Sequence, residues 1–219
     1  EGRIIFGQNE QEREYPASIT KVMTALLTLE AVDAGKLSLD QPITASAVVN
    51  DQDPEGSSAG IEEGEVLTVE QLLYCLLLVS ANEAADILAE TVSGSREAFV
   101  ELMNQRAQEL GMNDTSFVNC TGLDDGADAV NHRTSAYDIA LMSRQLLKYH
   151  PLIKNYTTIW MDTVRGGTFG LSNTNKLIRF YSGATGLKTG FTSGAGYCLS
   201  ASAMRDGMEL IAVVMGAET

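Results

Sequence analysis

The sequence is short of positive charge, histidine and cysteine. It has 15 lysines and arginines against 29 aspartates and glutamates, a formal net charge of -14 and a pI near 4.4. Nucleic-acid phosphates and anionic lipids need a basic surface, so neither is an expected partner, and an anionic ligand has to be held by a few local cations. His132 and His150 are the only histidines, no HExxH pattern occurs, and no GxSxG elbow is expected, since the one such spacing, at 56–60, falls in a turn-rich connection rather than between a strand and a helix. Zinc-peptidase and α/β-hydrolase chemistry therefore have nothing to build on. Cys75, Cys120 and Cys198 are far apart with no CxxC, which argues against a disulfide framework or a zinc site and reads them as buried or semi-buried free thiols. No metal or cofactor is expected. No apolar run reaches the ~18 residues of a membrane span, and the longest, Leu72 to Val79, fits a buried helix.

What is present is an ordinary globular composition, 44% hydrophobic and 20% charged over 219 residues. The start at Glu1, with no methionine or signal-peptide pattern, reads as processed or trimmed. Residues 2–7, "GRIIFG", predict a short strand. A helix apolar on most of its circumference should begin near Ser18 and stop at Gly35. The stretch from Asp40 to Glu65, with "NDQDPEGSSAG", predicts exposed connections. Thr68 should cap a second apolar helix, with Gln71 completing a capping box. Helical periodicity returns over 83–92, 96–110 and 135–149. "WMDTV" and "TFGLSNTN" look extended, and "GLKTGFT", "YCLSASAM" and "MELIAVVM" form a strand meander. Strand, helices, then consecutive antiparallel strands predict an α+β fold. Its antiparallel sheet joins the N-terminal strand to the C-terminal meander, flanked by helices, with a mostly helical insertion within about 36–165.

Three short stretches carry chemistry. In "SITK", Ser18 and Lys21 lie three apart on one helix face, so hydroxyl and amine can meet. A serine is a poor nucleophile until a base takes its proton, and a lysine of ordinary pKa, about 10.4, cannot do so. Burial, the positive helix end and a second cation all favour the neutral amine, and a ~3-unit shift requires ~4 kcal/mol. Composition alone predicts about one SxxK by chance in a chain this long. Ser18 as a helix cap and Lys21 as a surface residue therefore fit the tetrapeptide too. In "SAN", Ser80 and Asn82 sit at a helix break where a hydroxyl can relay a proton and an amide can hold a substrate, although Ser80 and Glu83 also match a capping box. In "KTG", Lys188, Thr189 and Gly190 offer a cation, a donor and a place for close backbone approach. An exposed edge-strand lysine is the plain alternative. Ser135 and Asp138 read as a capping pair.

SxxK, SxN and KTG in this chain order resemble the motif set of penicillin-binding proteins and serine β-lactamases. The sequence is most similar to the D-alanyl-D-alanine carboxypeptidases, low-molecular-weight penicillin-binding proteins. "YPASITKVMTALLTLE", "LTVEQLLYCLLLVSANEAADILAE", "NDTSFVNCTGLDD", "TSAYDIALMSRQLL" and "GLKTGFTSGAGYCLSASA" carry the likeness over nearly the whole chain. The resemblance implies a β-lactamase/transpeptidase-like catalytic domain over 1–219, cut at both ends, that binds peptidoglycan stem peptides ending in D-Ala-D-Ala and β-lactams. It implies acylation of Ser18 with Lys21 as base, and a proton passed by Ser80 to the leaving D-alanine. Asn82 would bind the substrate amide and position Lys21. Lys188 and Thr189 would hold the terminal carboxylate and help keep Lys21 neutral. The oxyanion would meet the N–H groups of Ser18 and Phe191, beside Gly190. Some relatives carry histidine where this chain has Phe191, so only a backbone role transfers. The resemblance further implies an extracytoplasmic place in the bacterial envelope, with membrane contact only through segments outside this chain. Arg165, Arg179 and Arg205 are unranked candidates for assisting the carboxylate. A serine β-lactamase is a rival, but "SDN" and a deacylating E-x-x-L-N glutamate are not found. A non-catalytic penicillin-sensing domain is the other.

Overall fold

The structure is a computed structural model that describes residues 2–53 and 56–218. A helix apolar all round must be surrounded on all sides. Helix α1 (Lys21–Asp33) is so placed, with ten of its 13 residues buried, and a tight 3-10 turn, Ala17–Thr20, leads into it. The chain then forms β1 (Pro42–Thr44), paired antiparallel with β2 (Val66–Thr68). Helix α2 (Val69–Leu78) starts at Thr68, whose hydroxyl accepts the Gln71 N–H while the Gln71 side chain accepts the Thr68 N–H, the expected capping box. Helices α3 (Asn82–Ser93), α4 (Arg96–Glu109) and α5 (Ala136–Tyr149) follow. Ser135 caps α5 through the Asp138 N–H, and the Asp138 carboxylate also accepts from Asp114 N and Thr115 Oγ1. Helices α2, α3, α4 and α5 all pack against α1.

The last third holds the short α6 (Lys154–Thr157), the hairpin β3 (Met161–Val164) with β4 (Phe169–Ser172), and α7 (Leu177–Phe180). Strands β5 (Ala184–Thr192), β6 (Gly196–Arg205) and β7 (Met208–Ala217) form the antiparallel sheet in that order, under α5. The register sets Lys188 opposite Ser200, Thr189 opposite Leu199 and Gly190 opposite Cys198. Strand β5 has β6 on one side only among the described residues. The Ala17–Thr20 turn also packs against β5.

The α+β architecture agrees with expectation, but the N-terminal strand does not. Residues 2–7 pair with nothing in the sheet, and Ile4, Ile5 and Phe6 stand 56%, 76% and 81% exposed. Strand preference records how a side chain fits a pleated, half-buried surface. This segment instead leaves the sheet and passes the Arg144 side chain of α5 at Gly2, so its apolar residues have no such surface. No helix of the described residues is long and apolar enough to cross a membrane.

Candidate active site

Lys21 is the first residue of α1 and has no exposed surface. Removing an ammonium from water costs several kcal/mol, and α1 offsets that cost by burying Val22, Met23, Leu26, Leu27 and Leu29, at about 1.5–3 kcal/mol each. The amine stands 3.0 Å from Ser18 Oγ, 2.7 Å from Asn82 Oδ1 and 2.8 Å from the Thr121 carbonyl oxygen. Burial pushes its pKa down to about 7, against smaller opposing effects from Cys120, Asp86 and Glu83. A neutral amine has two N–H donors and one lone pair. The two carbonyl oxygens use both donors, and the lone pair is left for the serine hydroxyl.

Ser18 is not a helix cap. It lies inside the 3-10 turn, and neither that turn nor α1 has a side-chain cap bond among the described residues. The residue before it, Ala17, has φ +47°, a strained conformation for a residue with a Cβ. The turn is fixed from two sides. His132, fully buried, accepts the Val118 N–H on Nδ1 at 2.9 Å and donates from Nε2 to Thr20 Oγ1 at 2.8 Å. Burial lowers its pKa to about 4, so it stays neutral as a strut. Gly122 packs so closely that a Cβ there would sit 1.8 Å from the Ala17 carbonyl oxygen.

Ser80 overturns the capping-box expectation. Its Oγ is buried and has no hydrogen-bond partner among the described residues, and its φ is +65°. Glu83 does not return a cap either; its Oε1 accepts from Ser58 Oγ, Ala59 N and Ile61 N. Residues 56–61, expected to be a solvent-facing connection, thus close over the start of α3, with Ala59 and Ile61 buried. Residues 54 and 55 of that stretch lie outside the described residues.

Lys188 is also not the exposed lysine that an edge strand suggests, being 1% exposed. Its amine donates only to the Thr189 carbonyl oxygen, at 2.9 Å, among the described residues. Burial first, and the charge of Lys21 second, hold its pKa well below the usual lysine value. Burial is the larger cause of the shift at both amines, and the repulsion between the two charges adds to it. Thr189 Oγ1 lies 2.6 Å from Thr174 Oγ1. A Cβ on Gly190 would stand 3.0 Å from both Ser18 N and the Ala17 Cβ, so β5 approaches the turn as closely as glycine allows. Phe191 is 55% exposed and leans on Tyr197, ring centres 4.6 Å apart.

The structure thus brings Ser18, Lys21 and Asn82 into one hydrogen-bonded cluster and lays Gly190 against Ser18, with Lys188 close enough to feel the charge of Lys21. The arginine candidates separate. Arg165 is held by Glu65 and by the carbonyls of Ala59 and Gly60, and Arg205 donates twice to Ser182 O. Arg179 lies near the Trp160 and Phe180 rings, with no anionic partner among the described residues. Sequence reasoning missed Thr121, Thr174 and Gly122. Thr121 acts through a backbone carbonyl, which no residue type announces. A cleft of about 500 Å³, lined by Asp51, Asp86, Arg96, Cys120 and Thr121 among others, includes none of Ser18, Lys21 and Lys188.

A family model described as D-alanyl-D-alanine carboxypeptidase matches residues 1–219. Among curated proteins, D-alanyl-D-alanine carboxypeptidase DacF of Bacillus subtilis (strain 168) is 44% identical over 221 residues, covering 100% of this chain and 55% of that protein. The chain therefore spans about half the length of such relatives. Among solved structures, a peptidoglycan synthesis regulatory factor (PBP3) from Streptococcus pneumoniae superposes with a TM-score of 0.91 at 31% identity, over 100% of this chain and 64% of that one. Penicillin-binding protein D2 from Listeria monocytogenes, in a cefotaxime-bound form, gives 0.87 at 35% identity, over 98% and 84%.

Proposed function

The chain belongs to the D-alanyl-D-alanine carboxypeptidase family, and from that premise we propose that it removes the terminal D-alanine from peptidoglycan stem peptides through an acyl-enzyme on Ser18. The observation that carries this reading is the buried Lys21 amine, its pKa lowered to about 7, set 3.0 Å from Ser18 Oγ. Ser18 Oγ attacks the penultimate D-alanine carbonyl and its proton passes to the Lys21 lone pair. The oxyanion is received by the N–H groups of Ser18 and Phe191. Breaking the C–N bond releases D-alanine, whose amine takes a proton through Ser80, the hydroxyl with no hydrogen-bond partner among the described residues. Water then cleaves the ester. The substrate backbone lies along the open side of β5 beside Gly190, in the manner of an added strand, with Asn82 binding its amide. β-Lactams enter by the same route and are released slowly. The acting site is extracytoplasmic, in the cell envelope.

Lys188 and Thr189 receive the terminal carboxylate. Lys188 is buried without an acidic partner among the described residues, and an arriving carboxylate is the counter-charge that restores its proton. Lys188→Ala should lower kcat/KM for a D-Ala-D-Ala peptide about 10- to 100-fold, the worth of a charge-assisted bond, and leave the matching C-terminal ester far less affected. Equal losses on both substrates would contradict the carboxylate role.

The pH dependence follows from the sign of the Lys21 shift. Only the deprotonated amine accepts the serine proton, so acylation should rise with pH, reach half its plateau near pH 7, and fall about tenfold per unit below that. An acid limb centred above pH 9 would mean an ordinary, solvated lysine. The activity itself is tested by release of free D-alanine from a diacetyl-Lys-D-Ala-D-Ala peptide. Stoichiometric penicillin adduct without any release would contradict a carboxypeptidase.

A further inference from the structure

Besides Ser18, Asn82 is the one side chain that hydrogen-bonds the Lys21 amine among the described residues, so what holds Asn82 matters. Its Oδ1 accepts from Lys21 Nζ at 2.7 Å, and its backbone N–H donates to the Ser57 carbonyl at 2.9 Å. At Gly56 a Cβ would come within 2.8 Å of Asn82 Nδ2. The 56–61 loop therefore forms one wall around this side chain.

That loop is gripped on both sides. From the first turn of α3, Glu83 Oε1 accepts from Ser58 Oγ at 2.8 Å, Ala59 N at 2.6 Å and Ile61 N at 3.4 Å. From the turn between β3 and β4, Arg165 donates Nη1 to the Ala59 carbonyl and Nη2 to the Gly60 carbonyl, each at 2.9 Å. Arg165 is itself fixed by two bonds to Glu65. One residue takes the loop's N–H groups and the other its C=O groups. Glu83 is 1% exposed, and its second oxygen is buried without a partner among the described residues. A buried carboxylate oxygen left unpaired is costly, and a helix start needs no such group when its own cap does not use it.

We propose that Glu83 and Arg165 are a pair of positioning residues that clamp the 56–61 loop over Asn82, and so hold Asn82 in register with Lys21. Arg165 thereby leaves the set of carboxylate-binding candidates. A displacement of about 1 Å at a reacting group can cost ~10²-fold in rate, so loosening this clamp reaches the chemistry without touching substrate.

The inference rests on the acyl-enzyme reading, and the test separates the two. Acylation by a fluorescent penicillin is timed for the wild-type chain, Glu83→Ala, Glu83→Gln and Arg165→Ala, with amide hydrogen exchange followed over residues 56–61 and 80–82. A wild type that forms no adduct fails the acyl-enzyme reading, and the clamp falls with it. If wild type acylates, Glu83→Ala should be roughly 10- to 100-fold slower, with faster exchange in both segments. Glu83→Gln, which keeps an oxygen for the same N–H groups, should recover most of the rate. Arg165→Ala should show the same slowing and exchange, and the Glu83→Ala/Arg165→Ala pair should be less than multiplicative. Wild-type acylation in Glu83→Ala overturns the proposal, as does a Glu83→Gln variant no better than the alanine. Should Glu83→Ala fail to fold, Arg165→Ala decides: normal acylation there overturns the clamp.

Discussion

Lys21→Ala abolishes measurable acylation of Ser18 while the chain stays folded. The amine is the only group within reach of Ser18 Oγ that can take its proton, at 3.0 Å among the described residues, and a positioned general base contributes about 10²- to 10⁴-fold. The fold should survive because the substitution removes a buried amine that burial already disfavours in its charged form. It leaves a cavity and two carbonyl acceptors, Asn82 Oδ1 and Thr121 O, without that donor, at about 1–3 kcal/mol for each such group. The check is the rate of penicillin adduct formation beside a thermal melt. Retained acylation would show that another group activates Ser18.

Gly122→Ala carries the largest expected structural effect. Gly122 has φ +93°, and its Cβ would lie 1.8 Å from the Ala17 carbonyl oxygen and 2.9 Å from Ser18 N. The backbone conformation alone costs an alanine about 1–2 kcal/mol, and forcing backbone apart adds about 1–3 kcal/mol. For a chain of this size each kcal/mol lowers Tm by roughly 2–4 °C, so a fall of about 4–20 °C is expected, together with loss of acylation as the Ser18 turn is displaced. Gly126→Ala is the control: φ is +103° and nothing lies within 4 Å of its Cβ, so only the conformational part should appear. Equal effects at the two glycines would mean that the loop is not seated on the nucleophile turn.

The periodic elements were legible in the sequence. A helix apolar all round announced its central place, the Thr68–Gln71 box marked the start of α2, and the meander showed in its turns. The three motifs were legible as residue types at fixed spacing, and the structure sets Ser18, Lys21 and Asn82 within hydrogen-bonding distance. Misreadings arose where a local rule competed with a long-range contact. Ser80 and Glu83 satisfy a capping pattern, yet Glu83 is claimed by a loop more than 20 residues earlier and Ser80 is left without a hydrogen-bond partner among the described residues. "IIF" reads as a strand, but a strand exists only beside another, and pairing is not written in the segment itself. The plain alternative for Lys188, an exposed edge-strand lysine, fails for the same reason, since the Ala17–Thr20 turn packs against β5 and Lys188 is buried. Backbone partners such as Thr121 O leave no trace in side-chain chemistry.

The account turns on Ser18 as the acylated residue. Intact-mass spectrometry after brief exposure to benzylpenicillin, followed by peptide mapping, tests this most directly. One equivalent of adduct, located on Ser18 and absent from Lys21→Ala, is the predicted result. A folded sample with no adduct, or an adduct mapped to another residue, would contradict it.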